Sequence, residues 1–305
     1  MRQISKTPKA PVYHRQRLLL FFLEAAKLGL GKLDLQKLLF LYNKEADKPH
    51  YAFVPYKYGC YSFLCADDLD LLERRGWIHD DGNQLFLAFD NLNDEPWAIN
   101  NKERKGVKKW LYKNNTRGDA LVAETYRRYP YYALNSQMKE RLLGRAEIKT
   151  VRESVAPIKE EREIVFTLGY EGIHFETYLN RLIRNHVKVL CDIRKNPNSR
   201  KFGFSGRMLA QILPKLGMDY IHIPVLGIES EKRRKLSGRQ DYEALFSNYR
   251  KTLPNKKEGL HQLERVIQSK QRVALTCFEA DPFHCHRHCV CEWMALQYGY
   301  RVTHL

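Results

Sequence analysis

Reactive side chains are concentrated in the thirteen-residue segment 277–289. It contains three cysteines, three histidines, two carboxylates and one arginine. Residues 273–276 before it form a short apolar run typical of a buried strand, and residues 290–296 after it have the apolar spacing of a helix. Ligands of α/β proteins bind beside the carboxyl ends of strands, so the segment predicts a functional site at a strand-to-helix turn.

Arginines near this segment indicate an anion site. A helix that begins near Cys285 would direct free backbone N–H groups toward the same sheet edge, where they favour negative charge. We therefore predict phosphate binding by Arg194, Arg200 and Arg287. The alternative is a structural network in which the arginines pair with the carboxylates Asp192, Glu279 and Asp281.

The thiols suggest a second chemistry. A helix N-terminus and neighbouring cationic groups lower the pKa of a thiol, so Cys285 or Cys277 could act as a nucleophile with His286 as its acid or base. The sequence 192–194, Asp-Ile-Arg, resembles rhodanese-like domains, in which a thiol carries sulfur. The cysteine loop lacks the short cradle of glycines and arginines of that family, so we do not favour sulfur transfer.

A metal site is a third interpretation. Cys285 and Cys289 are four residues apart on one helical face, with histidines beside them. Paired Cys-x-x-Cys spacing is absent, and a site on one helix needs a ligand from elsewhere, such as Cys277 or Cys191. Zinc is therefore considered but not favoured, no metal ligand is assigned, and the cofactor remains unknown.

Carboxylates offer a fourth interpretation. Asp192, Glu279 and Asp281 could activate water or stabilise an oxocarbenium ion at a nucleoside while arginines hold the phosphates. Such carboxylates also serve as loop caps. The catalytic candidates are Glu279, Cys285, His286, Asp192 and Cys277.

The charge of the chain indicates a polyanionic partner. The 305 residues carry a net charge of +17. Residues 1–150 hold 26 basic and 18 acidic residues, and residues 151–305 hold 26 and 17, so both halves are basic. Nucleic acid, with DNA preferred, is the partner that we expect. The alternative is a basic protein without a polyanion.

Composition also limits the location that we expect. No apolar run approaches the roughly 20 residues that span a bilayer, and the basic N-terminus lacks the apolar core of a signal peptide. Seven cysteines in a chain of this length do not indicate a secreted disulfide framework. We therefore expect a cytoplasmic protein with reduced thiols and no membrane association.

The chain divides into two predicted domains. Residues 146–162 are charged, contain Pro157 and show no sustained period, so we interpret them as a linker. Residues 1–145 are predicted to be mainly helical. The helix candidates are 12–28, 34–46, 62–75, 102–113 and 117–129, and residues 77–87 read as a hairpin around the turn Asp80-Asp81-Gly82-Asn83.

Three helices followed by a hairpin are the outline of a winged helix, in which one helix enters the major groove of DNA. Segments 34–42 and 53–62 also resemble the bacterial Panacea and phage-associated antitoxin-like domains, over roughly residues 13–90. That resemblance implies recognition of protein or DNA, and a protein partner of this domain is an expectation. The nucleic-acid-binding candidates are Lys57, Tyr58, Arg74, Arg75, Lys105, Lys108 and Lys109. Alternatively, these residues only form solvent-exposed surfaces and bind no nucleic acid.

Residues 163–305 alternate between strand and helix patterns. Strands are predicted at 164–168, 187–192, 219–223, 272–277 and 300–304, with helices at 175–185, 205–216, 242–251, 259–269 and 285–297. This alternation predicts an α/β domain with a mostly parallel sheet and helices on both faces. The chain as a whole is therefore predicted to be α/β, with a mainly helical winged-helix-like domain in front.

Four loops of this domain carry distinctive motifs, namely Thr167-Leu168-Gly169-Tyr170; Asp192-Ile193-Arg194 with Pro197, Ser199 and Arg200; His222-Ile223-Pro224 with Leu226-Gly227; and Cys277, Glu279, Pro282 and Cys285-His286-Arg287. These motifs resemble the domain of unknown function 488 family, over about residues 164–305. The resemblance implies a compact domain whose polar motifs meet at one site, and supplies no reaction. Many members have His where this chain has Tyr170, and a second Gly where it has Ile228. Tyr170 and Ser199 are the substrate-binding candidates.

Two functions from different classes follow. The first is a nucleic-acid-associated enzyme, a hydrolase or glycosylase-like protein, that processes or repairs DNA or a modified nucleotide at a phosphate-binding α/β site. The second is a non-catalytic DNA-binding regulator in phage defence or toxin control.

Overall fold

The computed structural model describes residues 10–45, 49–88, 92, 99–158, 163–229 and 238–305. The chain forms two compact units, Met1–Val155 and Ala156–Leu305. Each unit has its own hydrophobic core.

Helices dominate the first unit, together with two antiparallel hairpins. Its elements are α1 (His14–Ala26), α2 (Lys32–Glu45), β1 (Val54–Tyr56), β2 (Gly59–Tyr61), α3 (Phe63–Arg74), β3 (Ile78–Asp80), β4 (Leu85–Leu87), α4 (Asn101–Lys113), α5 (Gly118–Arg128), α6 (Lys139–Leu142) and α7 (Arg145–Glu153). Leucine and phenylalanine side chains of α1 and α2 fill the core. Leu30 exchanges backbone hydrogen bonds with Leu85, which adds a third short strand segment beside the second hairpin.

The structure confirms the five predicted helices and the β3–β4 hairpin of this unit, with ends that differ by a few residues. The β1–β2 hairpin was missed because each strand has only three residues. The first half of the predicted linker is a helix instead, because α7 occupies it. Val151 of this helix packs with Val122 and Tyr126. The sequence did not indicate this helix, because most residues of α7 are charged and form an exposed face.

A five-stranded sheet with helices forms the second unit. Its elements are β5 (Ile164–Gly169), α8 (Phe175–Arg184), β6 (Val189–Asp192), α9 (Gly206–Ile212), β7 (Asp219–His222), α10 (Arg239–Thr252), α11 (Lys257–Lys270), β8 (Arg272–Cys277), α12 (Arg287–Tyr298) and β9 (Arg301–His304). The strand order is β7-β6-β8-β5-β9, and all four pairings are parallel. The predicted α/β fold is confirmed.

Both faces of this sheet are covered by helices. Alternate strand residues such as Val165 and Leu275 pack against α10, α11 and α12, whereas Thr276 on the opposite face contacts Tyr178 of α8. Burial on both faces explains why the central strands are continuous apolar runs in the sequence. Because every strand runs the same way, the loops that follow β5, β6 and β8 leave from one edge of the sheet.

Candidate functional site

Three neighbouring strand ends position the candidate site. Gly169 at the end of β5 lies opposite Cys277 at the end of β8, and Asp192 at the end of β6 lies opposite Thr276. The backbone at Gly169 approaches the loop after β8 so closely that a Cβ atom there would lie 1.8 Å from the Glu279 carbonyl oxygen. The sheet therefore brings the loops with the predicted site residues into direct contact.

A cavity of about 400 Å³ lies among these loops. Its lining includes six of the predicted site residues, Tyr170, Arg194, Ser199, Arg200, Cys277 and His286. It also includes Ile228, noted above as a departure from the family pattern, and Lys195, Asn196, Asn198 and Phe278, which were not among the predicted site residues. Lys195, Asn196 and Asn198 lie in the same loop as two predicted arginines, and that proximity is the sequence signal that could have identified them.

Two thiols and one imidazole meet beside this cavity. The Sγ atoms of Cys277 and Cys285 lie 3.7 Å and 3.8 Å from the Nδ1 atom of His286. All three residues are at most 1% exposed. The other ring nitrogen, Nε2, lies 3.0 Å from the carbonyl oxygen of Ile193. A carbonyl only accepts, so Nε2 donates its proton to Ile193, and Nδ1 faces both sulfur atoms.

Burial controls the ionisation of Cys285. Desolvation raises the pKa of its thiol well above the ordinary value, and contact with Cys277 raises it further, while Arg287 acts in the opposite sense. Contrary to our expectation of a lowered value, the pKa of Cys285 is raised, and α12 begins two residues after this thiol, at Arg287. Cys285 is therefore a protonated thiol at neutral pH as the protein stands.

Asp192 is held in a buried ion pair. It is fully buried and accepts hydrogen bonds from Nε of Arg194 at 2.8 Å and from the hydroxyl of Tyr220 at 2.8 Å. A second guanidinium nitrogen of Arg194 binds its Oδ2 atom. Both oxygens are thus engaged, which favours a structural role for Asp192, and the predicted catalytic role stays a prediction. Tyr220, which sequence reasoning missed, lies on β7, the strand next to β6.

The same pairing limits Arg194 as an anion ligand. Its third nitrogen donates to the hydroxyl oxygen of Tyr170 at 2.8 Å and to the carbonyl of Phe204 at 2.9 Å. Arg194 lines the cavity, but the charge of Asp192 already balances its guanidinium. Its main effect is to hold the Tyr170 ring, which stacks on Phe204 with centroids 4.4 Å apart.

Arg287 does not reach the cavity. It is 1% exposed, and its two terminal nitrogens donate to the carbonyl oxygens of Glu279 at 2.5 Å and Ala280 at 2.8 Å. The side chain therefore fixes the loop after β8, and the phosphate-binding role of Arg287 stays a prediction. The carboxylate of Glu279 lies near enough to Cys285 to raise the pKa of that thiol, so this predicted catalytic residue stays beside the thiols.

Arg200 is the predicted phosphate ligand whose charge faces the cavity. Its side chain is exposed and makes no hydrogen bond or ion pair with any residue that the structure describes. Lys195 is half-buried and pairs with Glu229 at 2.7 Å. The Ser199 hydroxyl accepts a hydrogen bond from the backbone of Lys201 at 3.2 Å. Arg200 can therefore bind an anion, whereas the guanidinium groups of Arg194 and Arg287 already bind other residues.

The candidates of the first unit lie on separate elements. Lys57 and Tyr58 form the turn between β1 and β2 and line a cavity of about 440 Å³. Arg74 and Arg75 lie at the end of α3. Lys105, Lys108 and Lys109 occupy the exposed face of α4. Sequence reasoning missed Lys37, a fully buried lysine beside the same cavity, whose pKa is lowered by desolvation.

Residues 174–294 match a family model described as Domain of unknown function DUF488. The match confirms the resemblance inferred from the motifs over this part of the second unit. No match was found among curated proteins or among solved structures. The resemblance of the first unit to Panacea and antitoxin-like domains stays a prediction. Among the described residues, no helix has the length and apolar character needed to cross a bilayer.

Proposed function

We propose that the protein is a nucleic-acid-associated enzyme whose second unit binds a phosphate group and processes the attached nucleotide. The observation that carries this proposal is the composition of the cavity. Its lining combines the exposed guanidinium of Arg200 and the ammonium group of Lys195 with Cys277 and His286. A cationic loop facing reactive groups suits a substrate that is anionic beside its reacting bond.

The side chains divide the work as follows. Arg200 binds a phosphate through paired N–H donors, and Asn196, Asn198 and Ser199 supply further polar contacts along the same loop. Glu279, whose carboxylate lies near the Cys285 thiol, is the base of the site, while Cys277 and His286 line the cavity beside the reacting group. The reaction is a hydrolysis or a glycosylase-like cleavage of the nucleotide.

The first unit engages the polymer in this proposal. The helices α1, α2 and α3, followed by the β3–β4 hairpin and its Leu30 bridge, support a winged-helix-like role. Exposed lysines on α4 and the basic charge of both halves favour DNA over an uncharged partner. A protein partner of this unit is a further proposal that rests on the predicted antitoxin-like resemblance alone.

Separate measurements of binding and product formation test the enzyme. Wild-type protein is incubated with oligonucleotides that carry modified or unpaired bases, and the products are identified by mass spectrometry. We expect Glu279→Ala to lose product by at least about 100-fold, since a general base contributes about 10²–10⁴-fold, and Cys277→Ala, which removes a thiol from the cavity, to lose product as well. Their affinity for the oligonucleotide should stay within about twofold, because the groups replaced are not the phosphate ligands.

Cys291→Ala is the matched control, because Cys291 is a buried thiol of the same region that does not line the cavity. Product formation that persists in both Cys277→Ala and Glu279→Ala would refute a catalytic site. The buried pair of Asp192 with Arg194 and the loop fixed by Arg287 would then favour the second candidate, a non-catalytic DNA-binding regulator in phage defence or toxin control.

A further inference from the structure

We propose that Cys277, Cys285 and His286 form a binding site for a thiophilic divalent cation, with Zn²⁺ as the ion that suits them best. Their Sγ, Sγ and Nδ1 atoms all lie within 4.8 Å of one another. Two thiolates and one imidazole are a donor set that zinc accepts at sites with an open fourth position. The two negative charges of the thiolates would balance the charge of the ion.

The orientation of His286 supports this assignment. A histidine that binds a metal through one nitrogen usually donates its other N–H to a carbonyl or carboxylate, which fixes the tautomer and the ring. The Ile193 carbonyl occupies that position for Nε2, at 3.0 Å. Tyr249 packs edge-on against the ring, with centroids 5.6 Å apart. The Nδ1 atom therefore faces both sulfur atoms before any ion arrives.

The fold, and not the helical spacing, creates this group. On the helix, Cys289 lies near His288 instead of joining Cys285, with its Sγ 3.4 Å from Nε2 of that ring. Cys277 reaches Cys285 because the loop between them turns back. In that turn, the Asp281 carboxylate accepts from the backbone N–H of Phe283 at 2.8 Å, and Arg287 holds two carbonyls. The ligands therefore come from a strand end and a helix start.

Two other groups of potential ligands in the described residues are less suitable. In the group of His288, Cys289 and Glu292, Arg250 donates to the His288 ring at 2.9 Å and to Glu292 at 2.9 Å. The guanidinium of Arg250 therefore already supplies the positive charge at this group. In the group of His14, His50 and Glu103, His14 already contacts the carboxylate at 3.0 Å. Among these groups, only the site of Cys277, Cys285 and His286 has two thiols.

An ion held by three protein ligands keeps one coordination position for water or substrate. Cys277 and His286 line the same cavity as Arg200. The open position would therefore be available to an anion whose negative charge Arg200 also attracts, and the ion would act as a Lewis acid there. This last step rests on the proposed function, whereas the metal site itself does not.

Titration of the full chain, reduced and freed of metal by a chelator, with Co²⁺ tests the site. We expect one equivalent to bind with thiolate-to-cobalt absorption in the near ultraviolet and visible bands of a tetrahedral ion. Release of about two protons should accompany binding, one from each thiol. Cys277→Ser, Cys285→Ser and His286→Gln should each weaken binding by at least about 100-fold, more than the loss of an outer-sphere partner typically costs.

Cys291→Ser is the control and should bind Co²⁺ like the wild type, because this buried thiol lies outside the group. Circular dichroism establishes that each variant is folded. The proposal is overturned if the reduced wild type binds no stoichiometric Co²⁺, or if folded Cys277→Ser and Cys285→Ser keep the thiolate absorption. The proposal is also overturned if two thiols of the unfolded, metal-free wild type fail to react with a thiol reagent. Cys277 and Cys285 would then form a disulfide instead of a metal site.

Inorganic phosphate separates the metal site from its role in the cavity. Added phosphate should shift the visible cobalt bands of the wild type but not those of Arg200→Glu. Unchanged bands in the wild type would leave a metal site closed to substrate and overturn the Lewis-acid role. Full oligonucleotide processing by chelated, metal-free protein would also overturn that role while the proposed function stood.

Discussion

Replacement of Asp192 by alanine is expected to lower the free energy of unfolding of the second unit by about 3–5 kcal/mol, the range measured when one member of a buried ion pair is removed. The guanidinium of Arg194 would stay buried without its counter-charge, because the side chain is only 6% exposed. The Tyr220 hydroxyl would also lose its acceptor. Urea denaturation followed by circular dichroism measures the change.

Asp219→Ala is the matched control. Asp219 begins β7, beside β6, and pairs with Lys270 at 2.8 Å, but its side chain is 56% exposed. Exposed ion pairs contribute about 0–1 kcal/mol, so this variant should unfold almost like the wild type. Equal destabilisation by the two substitutions would show that Asp192 is not the buried anchor of the loop after β6.

Replacement of Arg200 by alanine is expected to weaken the binding of a nucleoside monophosphate to the second unit by about 10- to 100-fold. A hydrogen bond to a charged group contributes about 1.5–3 kcal/mol, and Arg200 offers the guanidinium of the cavity that no described carboxylate balances. Arg200→Glu should abolish measurable binding, because it reverses the charge. Isothermal titration calorimetry on the full chain measures both variants.

Arg265→Ala provides the comparison for a general loss of positive charge. Arg265 is exposed on α11 and does not line the cavity, so its removal should change affinity by less than about twofold. If Arg265→Ala and Arg200→Ala weaken binding equally, the interaction is a diffuse attraction to a basic protein. The cavity would then lose its assignment as a phosphate site.

The sequence was most informative where a local pattern decides the structure. Alternation of apolar runs with helical spacing placed all five strands and the main helices of the second unit. The same reasoning placed the hairpin around Gly82 in the first unit, because an Asp-Asp-Gly-Asn turn has a local cause. The family resemblance also predicted that the loops lie close together, because its motifs include both Asp192-Ile193-Arg194 and Cys285-His286-Arg287.

The roles of individual charged residues were less predictable, because they depend on which side chains or backbone groups lie next to them in the folded structure. Arg194 and Arg200 lie six residues apart in one loop, yet one is buried against Asp192 and the other is exposed. Arg287 looked like an anion ligand at a helix start, but it turns to backbone carbonyls. Helical spacing likewise suggested Cys289 as the partner of Cys285, whereas loop closure supplies Cys277.

A crystal structure of the full chain with a short single-stranded oligonucleotide would show whether the cavity of the second unit binds a nucleotide phosphate. We expect a phosphate within hydrogen-bonding distance of the Arg200 guanidinium, with the adjoining nucleotide beside Cys277 and His286. An oligonucleotide bound only to the first unit, with nothing in the cavity of the second, would contradict it. That result would favour a DNA-binding regulator over an enzyme.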